Sequence, residues 1–259
     1  YCMKYELSAA QYAEFLNKLT VVQADKNKPW NYGALVTYGY QRYSIITNVD
    51  MTFTTDAPDR AQNWMQVAFG EAYSDWAALR PMTELEYEKA CRGTGNPVPN
   101  EYAWGNTKEV VRTGYDGTDG SGTETALPTN ANYSRLNNTP ARVGIFAVPG
   151  ATREACGAGY YGVLDLSGNL VEQCVTVGYP AGRAFTGLHG DGKLTAAGLA
   201  NVSGWPGEAG GQGTIKRGAG GCVGQDAPIQ YMRTSARGAT YSNGDRCYNS
   251  GWRAVRTAP

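Results

Sequence analysis

Few side chains in this 259-residue chain are able to do chemistry. It has six cysteines, Cys2, Cys91, Cys156, Cys174, Cys222 and Cys247, and one histidine, His189. No two cysteines form a CxxC pair, and their spacings fit no common zinc pattern. Most of them read as small buried hydrophobes. A single imidazole rules out a multi-histidine metal site. His189 lies in Gly187-Leu188-His189-Gly190-Asp191-Gly192. It reads as a loop histidine bonded to backbone rather than as a base beside a nucleophile. Gly157, Gly159 and Gly162 match GxGxxG. A dinucleotide site needs a strand before that motif and a helix after it, so that the helix N-terminus meets the pyrophosphate. Here Ala151-Thr152-Arg153-Glu154 precedes it without strand character. The turn-forming run Asp165-Leu166-Ser167-Gly168-Asn169 follows. The glycines therefore read as turn residues.

One segment has the residue types of a hard-cation site. Asp165 and Glu172 place carboxylates at the two ends of a tight Ser-Gly-Asn turn. Such a turn can aim the carbonyls of Gly168 and Leu170 into the same space. Calcium takes carboxylate and carbonyl oxygens together in flexible geometry. The alternative is that the two carboxylates cap the turn or pair with nearby arginines. Asn169 is expected to tie the turn to its own backbone.

These groups need a frame, and the rest of the sequence describes one. A capping box at Ser8 and Gln11 starts a helix whose apolar face is Tyr12, Phe15, Leu16 and Leu19. A second helix is predicted from near Val67 to Leu79, with Phe69, Ala72, Tyr73 and Trp76 as its buried stripe. Thr83 and Glu86 form another capping box, opening a helix through Ala90 that ends at Gly93 and Gly95. Beyond residue 95, Gly, Asn, Thr and Pro dominate. Val143–Val148 and Gly162–Leu166 read as short strands. Helices first and irregular β structure later predict an α+β fold, and the absence of a clear linker predicts a single domain over 1–259.

Composition narrows the function classes. Formal net charge is zero, which argues against nucleic acid as a partner. No apolar run has the length of a membrane span. The chain opens Tyr1-Cys2-Met3 without a basic and apolar leader pattern, as a mature or trimmed chain would. Its 34 glycines and 18 tyrosines point to many turns and to aromatic packing or contact surface.

Six segments, in order, carry a resemblance. Tyr1-Cys2-Met3-Lys4-Tyr5-Glu6 with Gln11-Tyr12-Ala13-Glu14-Phe15-Leu16-Asn17 comes first. Arg80-Pro81-Met82-Thr83-Glu84-Leu85-Glu86-Tyr87-Glu88-Lys89-Ala90 and Tyr102-Ala103-Trp104-Gly105-Asn106 follow. Next are Tyr161 to Glu172, reading YGVLDLSGNLVE, and Arg217-Gly218-Ala219-Gly220. Gly251-Trp252-Arg253-Ala254-Val255-Arg256 closes the series. Together these resemble the formylglycine-generating-enzyme (sulfatase-modifying factor) family over nearly the whole chain. The resemblance implies an elaborated, irregular, loop-rich C-type lectin fold. It also implies a structural calcium ion, held in the resembling enzymes by the residues matching Asp165, Gly168, Leu170 and Glu172.

The departures from the family pattern bear on activity. Active members bind copper and activate oxygen with two cysteines between the glycine-rich segment and a conserved arginine stretch. A soft thiolate pair suits Cu(I). In this chain that interval runs from Gly218 to Arg237 and holds Cys222 alone. The second position falls near Pro228-Ile229, and Cys247 lies beyond it. The expectation is therefore no copper and no oxidase activity, unless Cys222 and Cys247 meet in space. The single histidine excludes the iron site of the related sulfoxide synthases.

Some members do no chemistry. The variable proteins of diversity-generating retroelements use this fold as a rigid frame for diversified residues near the C-terminus. The C-terminal end here fits that use. Frame-like Arg233, Ser235, Arg237, Gly251, Arg253 and Arg256 alternate with unusual choices within residues 218–256. A ligand face is expected from Gly224, Asp226, Tyr231, Ala236, Gly238, Tyr241, Cys247, Tyr248, Asn249 and Trp252, exposed on one side of the molecule. The expected partner is a protein or glycan on a cell or phage-host surface, and the expected location is extracellular, on a cell surface or on a virion. The competing readings are a copper-dependent oxidase of peptidyl cysteine and a structural part of a surface or secretion assembly.

Overall fold

The computed structural model describes residues 1–29, 44–108, 111–112, 115–126, 129–133, 140–206, 212–218, 229–237 and 249–258. Three of its helices begin at capping boxes that satisfy free N–H groups. Helix α1 (Ala9–Asn17) carries the expected capping box: Ser8 Oγ accepts from Gln11 N at 3.3 Å and Gln11 Oε1 accepts from Ser8 N at 3.0 Å. Helix α2 (Val21–Asn27) has the same device at Thr20 and Gln23. The Thr-x-x-Gln spacing that signals this start stands in the sequence at Thr20 and Gln23. Helix α3 (Val67–Trp76) ends three residues before the predicted Leu79. Ala78 turns into the left-handed region at φ 54°, and Leu79 N closes on Ser74 O at 2.8 Å, which stops the helix. Helix α4 (Glu84–Arg92) opens on the Thr83–Glu86 box and ends at Gly93, with φ 64°.

The strands are short and fall into small sheets. Strands β1 (Ile45–Thr47) and β2 (Phe53–Thr55) form an antiparallel hairpin. Strand β3 (Arg80–Pro81) pairs near the C-terminus; β4 (Val111–Arg112) and β7 (Ala131–Asn132) pair in parallel, and β5 (Tyr115–Asp116) and β6 (Thr125–Ala126) antiparallel. The central strand is β8 (Val171–Val175), with β9 (Thr214–Arg217) antiparallel on one side and β10 (Ser250–Gly251) parallel on the other. A single-turn helix α5 (Pro180–Arg183) lies between β8 and β9. Strand β11 (Ala254–Val255) pairs with β3. Mixed helices and small sheets make this an α+β architecture.

The two predicted strands are not strands. Val143 N reaches across to Asp59 O at 2.8 Å, but from Ile145 to Val148 the backbone bonds are local turn bonds, Ala147 N to Gly144 O at 2.8 Å among them, and Gly144 sits at φ 65°. Across 162–166, Asp165 at φ 61° breaks the extended chain. The strand comes five residues later, at β8, where all five residues are buried. A strand buried on both faces lacks the alternation that would reveal it.

Two apolar clusters form most of the core. One joins α1 and α3 through Tyr12, Phe15, Leu16, Phe69 and Tyr73 to Phe53, Met65 and Trp252. The other joins Tyr87, Ala90 and Cys91 of α4 to Leu166, Cys174, Ile215 and Val255. The ends of the chain meet: Leu7 N donates to Trp252 O at 3.0 Å and Met3 N to Ala254 O at 3.2 Å. Among the described residues, no helix is long and apolar enough to cross a membrane.

Candidate functional site

The turn from Asp165 to Glu172 is the meeting point of the chain. Asp165, Gly168 and Asn169 all have positive φ, at 61°, 115° and 56°. Asp and Asn tolerate that region, and Gly168 is required: a Cβ there would lie 2.8 Å from Asn132 O. The compact turn presents each N–H to a different segment. Gly168 N donates to Gly218 O at 3.0 Å, Asn169 N to Asn132 O at 2.8 Å, and Val171 N to Asn249 O at 2.8 Å. Ser167 Oγ donates to Met232 O at 2.7 Å and accepts from Ala103 N at 3.0 Å. Asn169 does not bond its own turn as expected. Its Oδ1 accepts from Ala141 N at 2.8 Å and from Asn132 Nδ2 at 3.3 Å, and its Nδ2 donates to Glu6. The amide is worth more as a bridge between segments that would otherwise leave buried polar groups unmet.

Beneath this turn lie three buried carboxylates. Asp165 Oδ2 accepts from Gly144 N at 3.1 Å, and Glu6 Oε1 accepts from Leu170 N at 3.0 Å. Glu172 Oε1 accepts from Arg253 Nε at 2.6 Å, both side chains being fully enclosed. Burial pushes the pKa of all three carboxyls upward, and repulsion from Asp165 adds to the rise at Glu6. Arg253 pairs with Glu172, and the Arg253 and Arg142 guanidiniums both act on Asp165 against that rise. Glu172 Oε2 is buried with no hydrogen-bond partner. The cluster thus gathers three carboxyl groups, one of them with an oxygen that has no hydrogen-bond partner. Glu6 escaped the sequence reading because its partners lie more than 160 residues away. No three His, Cys, Asp or Glu side chains converge as a metal cage among the described residues. The expected calcium set needs only two, with two backbone carbonyls.

A second polar cluster sits on α4. Glu84, Glu88 and Arg92 follow at four-residue spacing and share one helix face. Glu84 Oε2 accepts from Arg217 Nη1 at 3.1 Å and Arg237 Nε at 2.8 Å, while its Oε1 accepts from Thr176 Oγ1 at 2.6 Å and Val177 N at 3.0 Å. Glu88 Oε1 accepts from Arg217 Nη2 at 3.0 Å and also from Arg237. Arg92 bridges Glu88 at 2.6 Å and Glu101 at 2.8 Å. Arg217 is fully buried, and its guanidinium lies 4.9 Å from the centre of the Tyr87 ring. The spacing on α4 was legible in the sequence; its two arginine partners were not.

The expected ligand face is partly corrected. Gly224, Asp226, Gly238, Tyr241, Cys247 and Tyr248 lie outside the described residues, as does Cys222. Tyr231 and Ala236 are half-buried. Asn249 and Trp252 are each 1% exposed and belong to the frame. Trp252 fills the first core cluster, its ring pressed against Gly70 and its Nε1 donating to Ser74 Oγ at 2.9 Å. A Cβ on Gly70 would lie 2.0 Å from that ring. An indole wants an apolar slot with one acceptor, and it has both here. Its place in the Gly-Trp-Arg segment was the signal for the core, since Gly251 and Arg253 beside it are buried too. Asn249 is held by its carbonyl on β8, and both atoms of its side-chain amide are buried without partners, as are Thr234 Oγ1 and Ser250 Oγ.

The remaining candidates fall out as structure. Cys91 and Cys174 are buried free thiols; burial pushes Cys91 up to about 12, so neither is a nucleophile at neutral pH. His189 accepts from Thr257 N at 3.0 Å through Nε2, the backbone bond expected of it. Gly157 and Gly159 press against the carbonyls of Asn130 and Ala90, in turns with no flanking helix.

An α+β frame whose chain ends meet, and whose Arg-Pro-Met-Thr-Glu helix and Ser-Gly-Asn turn organise everything else, defines the class of sulfatase-modifying-factor proteins. The chain belongs to the family of sulfatase-modifying factor enzyme 1-like domains, whose model matches residues 1–258. No curated protein matches the chain.

Proposed function

We propose that the chain is a non-catalytic ligand-binding member of this family, built on a C-type lectin fold. Its ligand face lies in the 218–256 segment, as in the variable proteins of diversity-generating retroelements, and its partner is a protein or glycan on a cell or phage-host surface. The observation that carries this reading is where the anchors fall. The stretches before, between and after residues 219–228 and 238–248 end in groups fixed to the frame. Arg217 and Arg237 are clamped to Glu84 and Glu88, Ser167 holds Met232, and Val171 holds Asn249. Anchors on either side of a segment let its residues vary while the frame stays fixed. Catalysis is not expected, because the family's copper chemistry needs a thiolate pair and the matching interval holds Cys222 alone. Titration with Cu(I) and oxygen uptake with a cysteine peptide test this. The expected result is weak copper binding and no oxygen consumption. Stoichiometric tight Cu(I) binding that Cys222→Ser abolishes would overturn it.

A structural calcium ion is part of this proposal. Asp165 and Glu172, with the carbonyls of Gly168 and Leu170, would hold it. The three buried carboxyl groups and the unpartnered Glu172 Oε2 fit a hard divalent cation. At a hundredfold excess over its Kd, a bound ion stabilises the fold by about 2.7 kcal/mol. The melting temperature should therefore fall by several degrees in EGTA and recover with added calcium, and Asp165→Asn should abolish the difference. A melting temperature indifferent to both would contradict the site.

A further inference from the structure

We propose that a groove beside the C-terminal end of α4 binds a small anion with an apolar body, of the class of aryl or short-chain acyl carboxylates. The groove encloses about 490 Å³, within the size range of small-molecule sites. Its floor is apolar: Cys2, Met82, Ala90, Val163 and Val255 line it. Burial pushes the Cys2 thiol up to about 11, so it stays neutral and adds to that floor.

One wall is Tyr161, which is 55% exposed. An exposed aromatic is ordinary when it stands alone, but this one is held in place. The Tyr160 ring meets it edge-on at 4.9 Å, and Tyr160 is itself packed over Gly93 and under the Arg153 guanidinium. The backbone of that turn is bonded to the end of α4, with Tyr160 N donating to Ala90 O at 3.0 Å. The wall is therefore pre-set, so closing it on a flat ligand costs little ordering.

The rim gives the sign of the ligand. Glu86 is the one carboxylate lining the groove, and Arg80 neutralises it through two bonds, at 2.9 and 2.5 Å. Lys89 and Arg256 remain. Both are exposed, and neither forms an ion pair with a carboxylate among the described residues. His189, bonded to the rim at Thr257, reports the same field: after burial, Arg80 and Arg256 are what depress its affinity for a proton. Two uncompensated cations above an apolar floor suit a carboxylate whose body lies against Tyr161. This groove takes Val255 and Arg256 from the end of the 218–256 segment but none of the ten residues named for the ligand face, and it does not depend on that reading.

Calorimetry of the full chain at low salt, with 3-phenylpropionate as the probe and 3-phenylpropanamide as its uncharged twin, tests the proposal. The acid should bind with a Kd of about a millimolar or tighter. The amide should bind about tenfold more weakly, and added salt should weaken the acid. Lys89→Ala and Arg256→Ala should each cost about threefold, and Tyr161→Ala about as much. Lys193→Ala, the same charge change on an exposed residue outside the groove, should cost nothing. Melting curves of the variants check that each is folded. The proposal is overturned if the acid fails to bind, if the amide binds equally well, or if Lys193→Ala weakens binding as much as Lys89→Ala does.

Discussion

Glu86 serves two neighbours at once: it closes the Thr83 capping box and holds Arg80 with both oxygens. Burial raises its pKa, but Arg80 and the Thr83 N–H outweigh burial, so the carboxyl sits below the ordinary value of 4.5. A depressed folded-state pKa contributes stability above the ordinary value, and that stability is lost as pH falls through the folded value. Glutamine keeps the capping box, so Glu86→Gln isolates the charge. The stability gap between wild type and Glu86→Gln, from urea midpoints, should be present at pH 7 and shrink as pH drops below about 4.5. A gap constant from pH 7 to pH 3 would contradict this assignment. Legibility at this scale followed distance along the chain. The capping partners are three residues apart and were read directly. Glu6 and Arg253 act through partners more than 80 residues away, and no local pattern points to them.

Helix α4 is the element on which the frame turns. Its inner face packs Tyr87, Ala90 and Cys91 into the second core cluster, while Glu84 and Glu88 reach sideways to Arg217 and Arg237. The two arginines make similar contacts from different surroundings. Arg217 and Glu84 are almost wholly buried, so Arg217→Ala would strand a buried carboxylate and should cost about 3–5 kcal/mol. The Arg237 side chain is 45% exposed. Its removal should cost about 1 kcal/mol or less, because water screens the pair. Denaturant titration of both variants decides this, and equal losses would show that the clamp is not graded by burial. Three of the four longer helices were read from sequence because their caps and apolar stripes are local. Strand β8 was missed because its burial is set by β9 and β10, which come from distant segments.

At the scale of the molecule, the first and last segments pack on each other, and the turn at 165–172 collects bonds from residues 6, 132, 141, 218, 232 and 249. This explains why family motifs in order revealed the family where periodicity did not: each motif is a piece of one shared hub. It also explains the error over Asn249 and Trp252. Alternation of familiar and unusual residues marked them as display positions, whereas the pairing of β10 with β8 and of β11 with β3 draws the whole Ser250–Val255 stretch inside. The central claim is that a fixed frame carries freely replaceable residues in its C-terminal segments. The direct measurement is to randomise Gly224, Asp226, Gly238, Tyr241 and Tyr248 together, and separately Asn249 with Trp252, and to score each library for folded protein by protease-resistant surface display. The account predicts that most members of the first library remain folded and yield binders to new targets, while nearly all of the second are lost. Comparable loss of folding in both libraries would contradict it.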